Sequence, residues 1–295
     1  MRFPRGAAAA ILLLSLAGRA AALTLTPEQE RLIGRKIWLN EGGGKVQFLT
    51  HWNDKEEFAS IGIGHFIWYP ASVPSGARAF VESFPGLVDF LRDNGRPLPS
   101  WTQGTCPWNT KEAFFSDFNG QRLSALRTIL SQPETVSLQT RYIIHRLEQA
   151  LPKMLDAASP AERAEIQARF QRVIAEPVGA YALIDYVNFK GEGTAPGERY
   201  PDENGKGWGM LQVLELMDDH AGGRAAVAYA DAAAEALRRR VELCPRPGSP
   251  AYERRAREGK RLPECDKEAE WLVGWVKRTN DYRMARLDDL IPPGR

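Results

Sequence analysis

Cysteine, histidine and long apolar runs are all scarce in this sequence of 295 residues. Its three cysteines and four histidines show no spacing typical of a metal site, so a structural zinc module is not expected. After residue 22, no apolar run approaches the ~20 residues that cross a bilayer. The chain is 43% apolar and 26% charged. This composition excludes disorder and a disulfide-rich miniprotein, and it predicts a globular protein with a large core.

Residues 1–22 have the pattern of a secretory signal peptide. Met-Arg-Phe-Pro-Arg is followed by an apolar run from Gly6 to Ala17, and Ala20 and Ala22 occupy the −3 and −1 positions of a cleavage site. The alternative, a membrane anchor, is disfavoured because the run is too short to span a bilayer. We therefore expect cleavage near Ala22, a mature chain over 23–295 and a periplasmic or secreted location.

Removal of this segment changes the charge of the protein. The full chain has 39 Lys and Arg against 37 Asp and Glu, a formal charge of +2. Arg2, Arg5 and Arg19 lie in the signal segment, so the mature chain keeps 36 basic residues and has a charge of −1. Nucleic-acid binding needs clustered basic residues and is therefore disfavoured. We expect a monomer with no cofactor, no metal and no stable membrane insertion.

Export also permits a disulfide. Cys244 and Cys265 flank a stretch that is rich in Pro, Gly, Arg and Glu and has few apolar residues to fix it. A bridge across so weakly packed a loop would contribute on the order of 3 kcal/mol in the chain-entropy model. We therefore favour pairing of Cys244 with Cys265 over a bridge to Cys106 or no bridge.

The hydrophobic pattern predicts an α+β fold that is predominantly helical. Thr26 to Gln29 is a capping box with Pro27 at the first helical position, which predicts a helix to about Asn40, stopped by three glycines at 42–44. Residues 45–50 and 58–63 are predicted to form a small hairpin. No linker divides the chain, so one domain over 23–295 is expected. Helical spacing recurs in Gln121–Ile129, Leu138–Leu155, Pro160–Ala175, Gly179–Lys190, Trp208–Met217, Gly223–Leu243 and Lys267–Arg278.

Glu41 is the candidate general acid. It follows Ile37 by four residues and Trp38 by three, so in a helix its carboxylate would share their apolar face. Desolvation keeps a carboxyl group protonated near neutral pH, which general-acid cleavage of a glycosidic bond requires. The alternative is a solvated glutamate at the end of a helix.

The residues after Glu41 resemble the catalytic region of phage-type lysozymes, within the lysozyme-like superfamily. Those enzymes have a Glu, an Asp, and then a Thr six residues after the Asp and directly before an Ile-Gly-x-Gly-His run. Here Asp54 and Ser60 have that spacing, and Ile-Gly-Ile-Gly-His follows at 61–65. The gap from Glu41 to Asp54 is a few residues longer than in the family.

Later segments extend this resemblance. Residues 182–193 are similar to the family's helix that ends in a Gly-Glu-Gly turn across the cleft, and residues 208–212 and 271–282 are similar to its following and final helices. Residues 66–176 have no counterpart and are interpreted as a helical insertion. The resemblance covers about half of the mature chain, and it implies a lysozyme-like fold with an enlarged helical body.

The resemblance implies cleavage of the glycan strand of peptidoglycan by a muramidase. Glu41 would protonate the glycosidic oxygen, and a second carboxylate with Ser60 would activate water on the other face, which gives inversion. We favour Asp54 as the second carboxylate because of its spacing, and Glu57, three residues before Ser60, is the competing candidate. If neither acts, Glu41 alone would suffice for a lytic transglycosylase, in which the 6-hydroxyl of the sugar attacks and leaves an anhydro product.

Two other functions are also compatible with the resemblance. One is a non-catalytic glycan-binding or cell-wall protein, and the other is a glycosidase that acts on a different glycan. The retained Glu41 and the two further acids argue against the first of these.

Four more residues are candidates for substrate binding, each with a structural alternative. Asn188 and Gln212 lie near helix ends and would bind N-acetyl groups. Tyr69 belongs to an aromatic run that offers either a sugar-stacking surface or buried packing. His65 is interpreted more readily as closing the turn after the glycines than as touching the substrate.

Overall fold

Helices make up most of the chain that the structure describes. The computed structural model describes residues 25–54, 56–78, 80–200, 207–218, 223–259 and 262–291, and the predicted signal peptide lies outside them. Within these ranges no helix is both long and apolar enough to cross a membrane. The helices are α1 Pro27–Gly42, α2 Phe84–Asp93, α3 Lys111–Ser116, α4 Gln121–Leu130, α5 Pro133–Ala157, α6 Arg163–Ile174, α7 Pro177–Lys190, α8 Met210–Leu216, α9 Ala225–Glu242, α10 Pro250–Arg257 and α11 Cys265–Asn280.

A small antiparallel sheet follows the first helix. Its strands are β1 Thr50–His51, β2 Ala59–Ile61 and β3 Phe66–Trp68, in the order β1-β2-β3. The predicted α+β class and the pairing of the two hairpin segments are confirmed, but residues 46–49 form a 3₁₀ turn instead of a strand. The third strand was not predicted. It forms because Phe66 and Trp68 are buried and pair with β2.

The first helix begins as its capping box predicts. Thr26 accepts a hydrogen bond from the Gln29 backbone, and the Gln29 side chain accepts one from the Thr26 backbone. The helix continues through Gly42, two residues beyond the predicted end, and Gly43 takes a left-handed conformation with φ 60°. Glu41 is therefore placed in the last helical turn.

The core is centred on α7, in which every residue from Val178 to Val187 is buried. Helices α1, α5, α6 and α9 pack around it. The region 66–176 is therefore part of this core and not an appended unit, because α5 lies against both α1 and α7. Gly34 allows α1 to pack closely against α5, since a Cβ at this position would lie 2.1 Å from Oγ1 of Thr140.

Helix α5 also holds the Ile-Gly-Ile-Gly-His turn. Gln139 accepts a hydrogen bond from the backbone of Ile63 at 3.0 Å and donates to the Leu130 carbonyl at 2.9 Å. Gly62 has a φ of 80°, and a Cβ there would lie 2.3 Å from Oε1 of Gln139. The turn thus requires glycine for both conformation and space.

A Gly62→Ala variant is expected to lower the free energy of unfolding by at least about 2 kcal/mol, because it adds a left-handed strain to a clash with Gln139. Denaturant unfolding would measure this loss. Gly95→Ala is the matched control, since Gly95 has a φ of 76° but no atom within 4 Å of a Cβ. Equal losses in the two variants would show that the contact with Gln139 is unimportant.

The predicted disulfide between Cys244 and Cys265 is confirmed, and Cys106 is a buried free thiol. The bridge joins the end of α9 to the first residue of α11. The loop that it closes contains α10, a helix that the sequence pattern did not predict. Tyr200 and Trp208 pack against the two cysteines in a small second core.

Candidate active site

Glu41 lies where the end of α1 meets three other elements. Arg278 of α11 donates from Nη2 to Oε1 of Glu41 at 2.7 Å, and Asn188 of α7 donates from Nδ2 to the same oxygen at 3.4 Å. Nδ1 of His65 lies 3.9 Å from the other oxygen, Oε2. The Glu41 side chain is 17% exposed, so it is fixed but still reachable from solvent. These four residues are called the acid cluster below.

The surroundings of the Glu41 carboxylate differ from the predicted apolar face. Ile37 is fully buried in the core, but the next turn of α1 packs beside α7 and α11 and meets their polar side chains. The prediction of apolar neighbours for this carboxylate is therefore wrong. Its predicted place at the end of the first helix is confirmed.

Arg278 is held by a second carboxylate, Asp185, for which no role was predicted. Asp185 is completely buried and accepts from Nε and Nη2 of Arg278 at 2.9 and 2.8 Å. Tyr282 and Asn40 also donate to it, at 2.6 and 3.2 Å. Burial opposes ionisation of Asp185, but the Arg278 charge and these hydrogen bonds outweigh burial and lower its pKa. Asp185 therefore fixes the guanidinium that contacts Glu41.

Two histidines lie on the sheet side of the acid cluster. His65 has a φ of 48°, and its Nε2 donates to the Phe48 carbonyl at 3.1 Å, which agrees with the predicted role of closing the turn. The His51 ring stacks on it with centroids 6.2 Å apart. Burial and then the charge of His65 lower the pKa of His51. Ser60 is 3% exposed and pairs with His51 across β1 and β2, so the two side chains share one face of the sheet.

The two candidates for the second carboxylate lie in the loop that joins β1 to β2. Asp54 is 86% exposed and forms an ion pair with Lys111 of α3. Glu57 is exposed, and its charge acts on Tyr69. Neither acid contacts Glu41 in the part of the chain that the structure describes. The structure brings Glu41, His65 and Asn188 together, but it does not bring Asp54 or Glu57 to them.

The polar groups of Tyr69 and Gln212 form hydrogen bonds within the protein. Tyr69 is 1% exposed, and its hydroxyl accepts from the Phe80 backbone at 3.2 Å. Oε1 of Gln212 accepts from the Gly209 backbone at 3.2 Å, and its Nε2 donates to the Gly193 carbonyl at 3.3 Å. Gln212 thus positions the glycine turn that follows α7.

Asn188 has an unused acceptor next to Glu41. Its Nδ2 also donates to the Gly64 carbonyl at 3.1 Å, whereas its buried Oδ1 has no hydrogen-bond partner among the described residues. A Cβ on Gly64 would lie 2.9 Å from that oxygen, so glycine permits the turn to approach α7.

A row of alternating cations and aromatic rings extends from the acid cluster. The Arg278 guanidinium lies 4.1 Å from the ring centroid of Phe189. Nζ of Lys190 lies 3.4 Å from Trp275, and the Arg240 guanidinium lies 4.1 Å from Trp208. A pocket of about 260 Å³ opens beside Trp208 and Arg240. The row, called the cation–aromatic row below, comprises Arg278, Phe189, Lys190, Trp275, Arg240 and Trp208.

The described residues include no group of three or more His, Cys, Asp or Glu side chains arranged to hold a metal ion. Comparisons of the chain with protein-family models, with curated proteins and with solved structures found no match.

Proposed function

We propose that this protein cleaves the glycan strand of peptidoglycan, or a related polysaccharide, with Glu41 as the proton donor. The placement of Glu41 is the observation that carries this proposal: its carboxylate is held at a helix end against the turn of a small sheet, yet is 17% exposed. This arrangement agrees with the resemblance to phage-type lysozymes. The Cys244–Cys265 disulfide agrees with action outside the cytoplasm, where such bonds persist.

In the proposed first step, protonated Glu41 gives its proton to the glycosidic oxygen. The bond from that oxygen to C1 breaks, its electron pair leaves with the oxygen, and positive charge develops on the sugar. Glu41 becomes a carboxylate that the hydrogen bond from Arg278 stabilises. Asp185 also binds Arg278, so the guanidinium would keep a carboxylate partner when Glu41 carries the proton.

The developing cation can be trapped in two ways. In a muramidase, water attacks C1 from the opposite face, a second carboxylate with Ser60 takes the proton of the water, and the configuration is inverted. In a lytic transglycosylase, the 6-hydroxyl of the same sugar attacks C1 and the Glu41 carboxylate takes the hydroxyl proton. The second route needs no further acid and gives a product lighter by one water.

The positions of the second acids favour the transglycosylase as a second candidate function. Asp54 is 86% exposed and paired with Lys111, and Glu57 is exposed. To hold a water on the far face of a sugar at Glu41, either acid would have to leave its present position. The anhydro route requires no such movement.

Digestion of peptidoglycan by the purified protein tests the proposal and separates the two routes. We expect soluble glycan fragments, analysed by mass spectrometry and by an assay for reducing ends. New reducing ends identify hydrolysis, and fragments lighter by one water identify the anhydro product. Under hydrolysis, Asp54→Asn should abolish turnover and Glu57→Gln should not. If no fragments are released from any peptidoglycan, including deacetylated material, a non-catalytic glycan-binding protein is the better interpretation.

A further inference from the structure

Lys190, the last residue of α7, places its ammonium group against two aromatic rings. Its Nζ lies 3.4 and 4.1 Å from the ring centroids of Trp275 and Phe189, and it donates no hydrogen bond to any residue that the structure describes. Desolvation, followed by the charges of Arg240 and Arg278, lowers the pKa of Lys190 well below its usual value. Among the residues that the structure describes, two aromatic rings contact the ammonium group and no carboxylate forms an ion pair with it.

The two described acids whose charges act on Lys190, Glu268 and Glu41, both bind other cations. Glu268 accepts from Nε and Nη2 of Arg240 at 2.9 and 2.8 Å. Glu41 accepts from Arg278, which Asp185 also binds. An unpaired ammonium at a partly buried position costs free energy, and an anion that arrives with a ligand would remove that cost.

The location of Lys190 is suited to a ligand that also reaches Glu41. Lys190 is only partly buried. It shares the Phe189 ring with Arg278 and the Trp275 ring with Arg240, so it stands between the acid cluster and the Arg240 end of the cation–aromatic row. The flanking rings of Phe189 and Trp275 offer apolar faces against which a sugar can pack.

We propose that Lys190 binds a carboxylate carried by the glycan substrate, as the anion-binding subsite of the acid cluster. This inference rests on the proposed function, since it assigns the substrate of the same site. The carboxylate is either on the peptide attached to the strand or, where the strand carries no peptide, on the lactyl group of muramic acid. Both sources present the same chemistry to the ammonium group.

Binding of purified peptidoglycan fragments tests the proposal. Calorimetry would use Glu41→Gln protein, which leaves the fragments intact, and the double variant that adds Lys190→Met. We expect Lys190→Met to weaken binding about tenfold, since charge-assisted hydrogen bonds to a carboxylate are lost. On fragments whose carboxylates have been amidated, the two proteins should bind equally. An amidase removes the peptide and exposes the lactyl carboxylate, so an effect of Lys190→Met on these stripped fragments shows that the sugar carboxylate is bound, and the absence of an effect there shows that the peptide carboxylate is required.

A matched control is Lys277→Met, which removes an exposed lysine from α11 and should leave affinity unchanged. Lys190→Met should fold, because Met keeps the apolar contacts with Trp275 and removes an unpaired charge; its melting temperature would verify this. The proposal is overturned if Lys190→Met leaves affinity unchanged, or if it weakens binding of native and amidated fragments equally. Failure of the wild type to cleave peptidoglycan would count against the proposed function only, since these binding measurements need no turnover.

Discussion

A Glu41→Gln variant is expected to release soluble fragments from peptidoglycan about 10³-fold more slowly than the wild type, or more slowly still. Gln has the same shape, and its amide oxygen can still accept from Arg278 at the position of Oε1. It has no proton to give to the glycosidic oxygen. Initial rates of fragment release, with melting temperatures measured in parallel, would separate a loss of chemistry from a loss of fold.

Glu28→Gln provides the control for this measurement. Glu28 lies in the first turn of the same helix, is 57% exposed and pairs with Arg31, so its replacement should change stability by less than about 0.5 kcal/mol and leave the rate unaltered. Full activity in Glu41→Gln protein would mean that another group donates the proton.

Replacing Asp185 with Asn is expected to lower the free energy of unfolding by about 3–5 kcal/mol. The substitution removes the charge that balances Arg278 at a position with no exposure to solvent. Arg278 would then depend on Glu41 alone, and cleavage should fall because the acid becomes tied to the guanidinium. Urea unfolding and the rate of fragment release would measure the two effects.

The loss in Asp185→Asn should depend on pH in a defined direction. Because the folded pKa of Asp185 lies below the unfolded value of about 3.9, its ionised form contributes stability above that pH, and this contribution is lost as the pH falls through the folded pKa. The difference in unfolding free energy between wild type and variant should therefore be constant near neutral pH and become smaller in acid. Asp231→Asn, at a pair with Arg283 where Asp231 is 64% exposed, should cost less than about 1 kcal/mol at any pH. If Asp185→Asn and Asp231→Asn lowered the free energy of unfolding equally, burial of Asp185 would not explain its contribution to stability.

Local sequence signals predicted most of the described helices, because these signals act over one or two turns, but they did not delimit α2, α3 or α10. The capping box at Thr26 placed the start of α1 correctly, and the periodic segments became α4 to α9 and α11 with small shifts at their ends. The sheet was harder to predict from the sequence. Strand β3 depends on the burial of Phe66 and Trp68 against distant helices, and the sequence around them shows no alternation of apolar and polar residues that would indicate a strand.

The candidate site was only partly predictable, because its contacts join distant parts of the chain. Glu41 meets Asn188 across 147 residues and Arg278 across 237. One signal was available: Asp185 is the only acid in the apolar run 182–187, and a carboxylate in a buried helix needs a cation. Spacing alone favoured Asp54, but spacing does not report that a side chain points into solvent beside Lys111.

The disulfide has a consequence for when the site can assemble. Cys265 begins α11, and the same helix carries Arg278 into contact with Glu41. The disulfide joins residues separated by 21 positions. In the chain-entropy model it raises the free energy of the unfolded chain by about 3 kcal/mol, which favours the folded state in which α11 docks beside α9. In a reducing compartment that contribution is absent, so the partner of the acid is held less firmly. Oxidation of Cys244 and Cys265 therefore favours completion of the acid cluster.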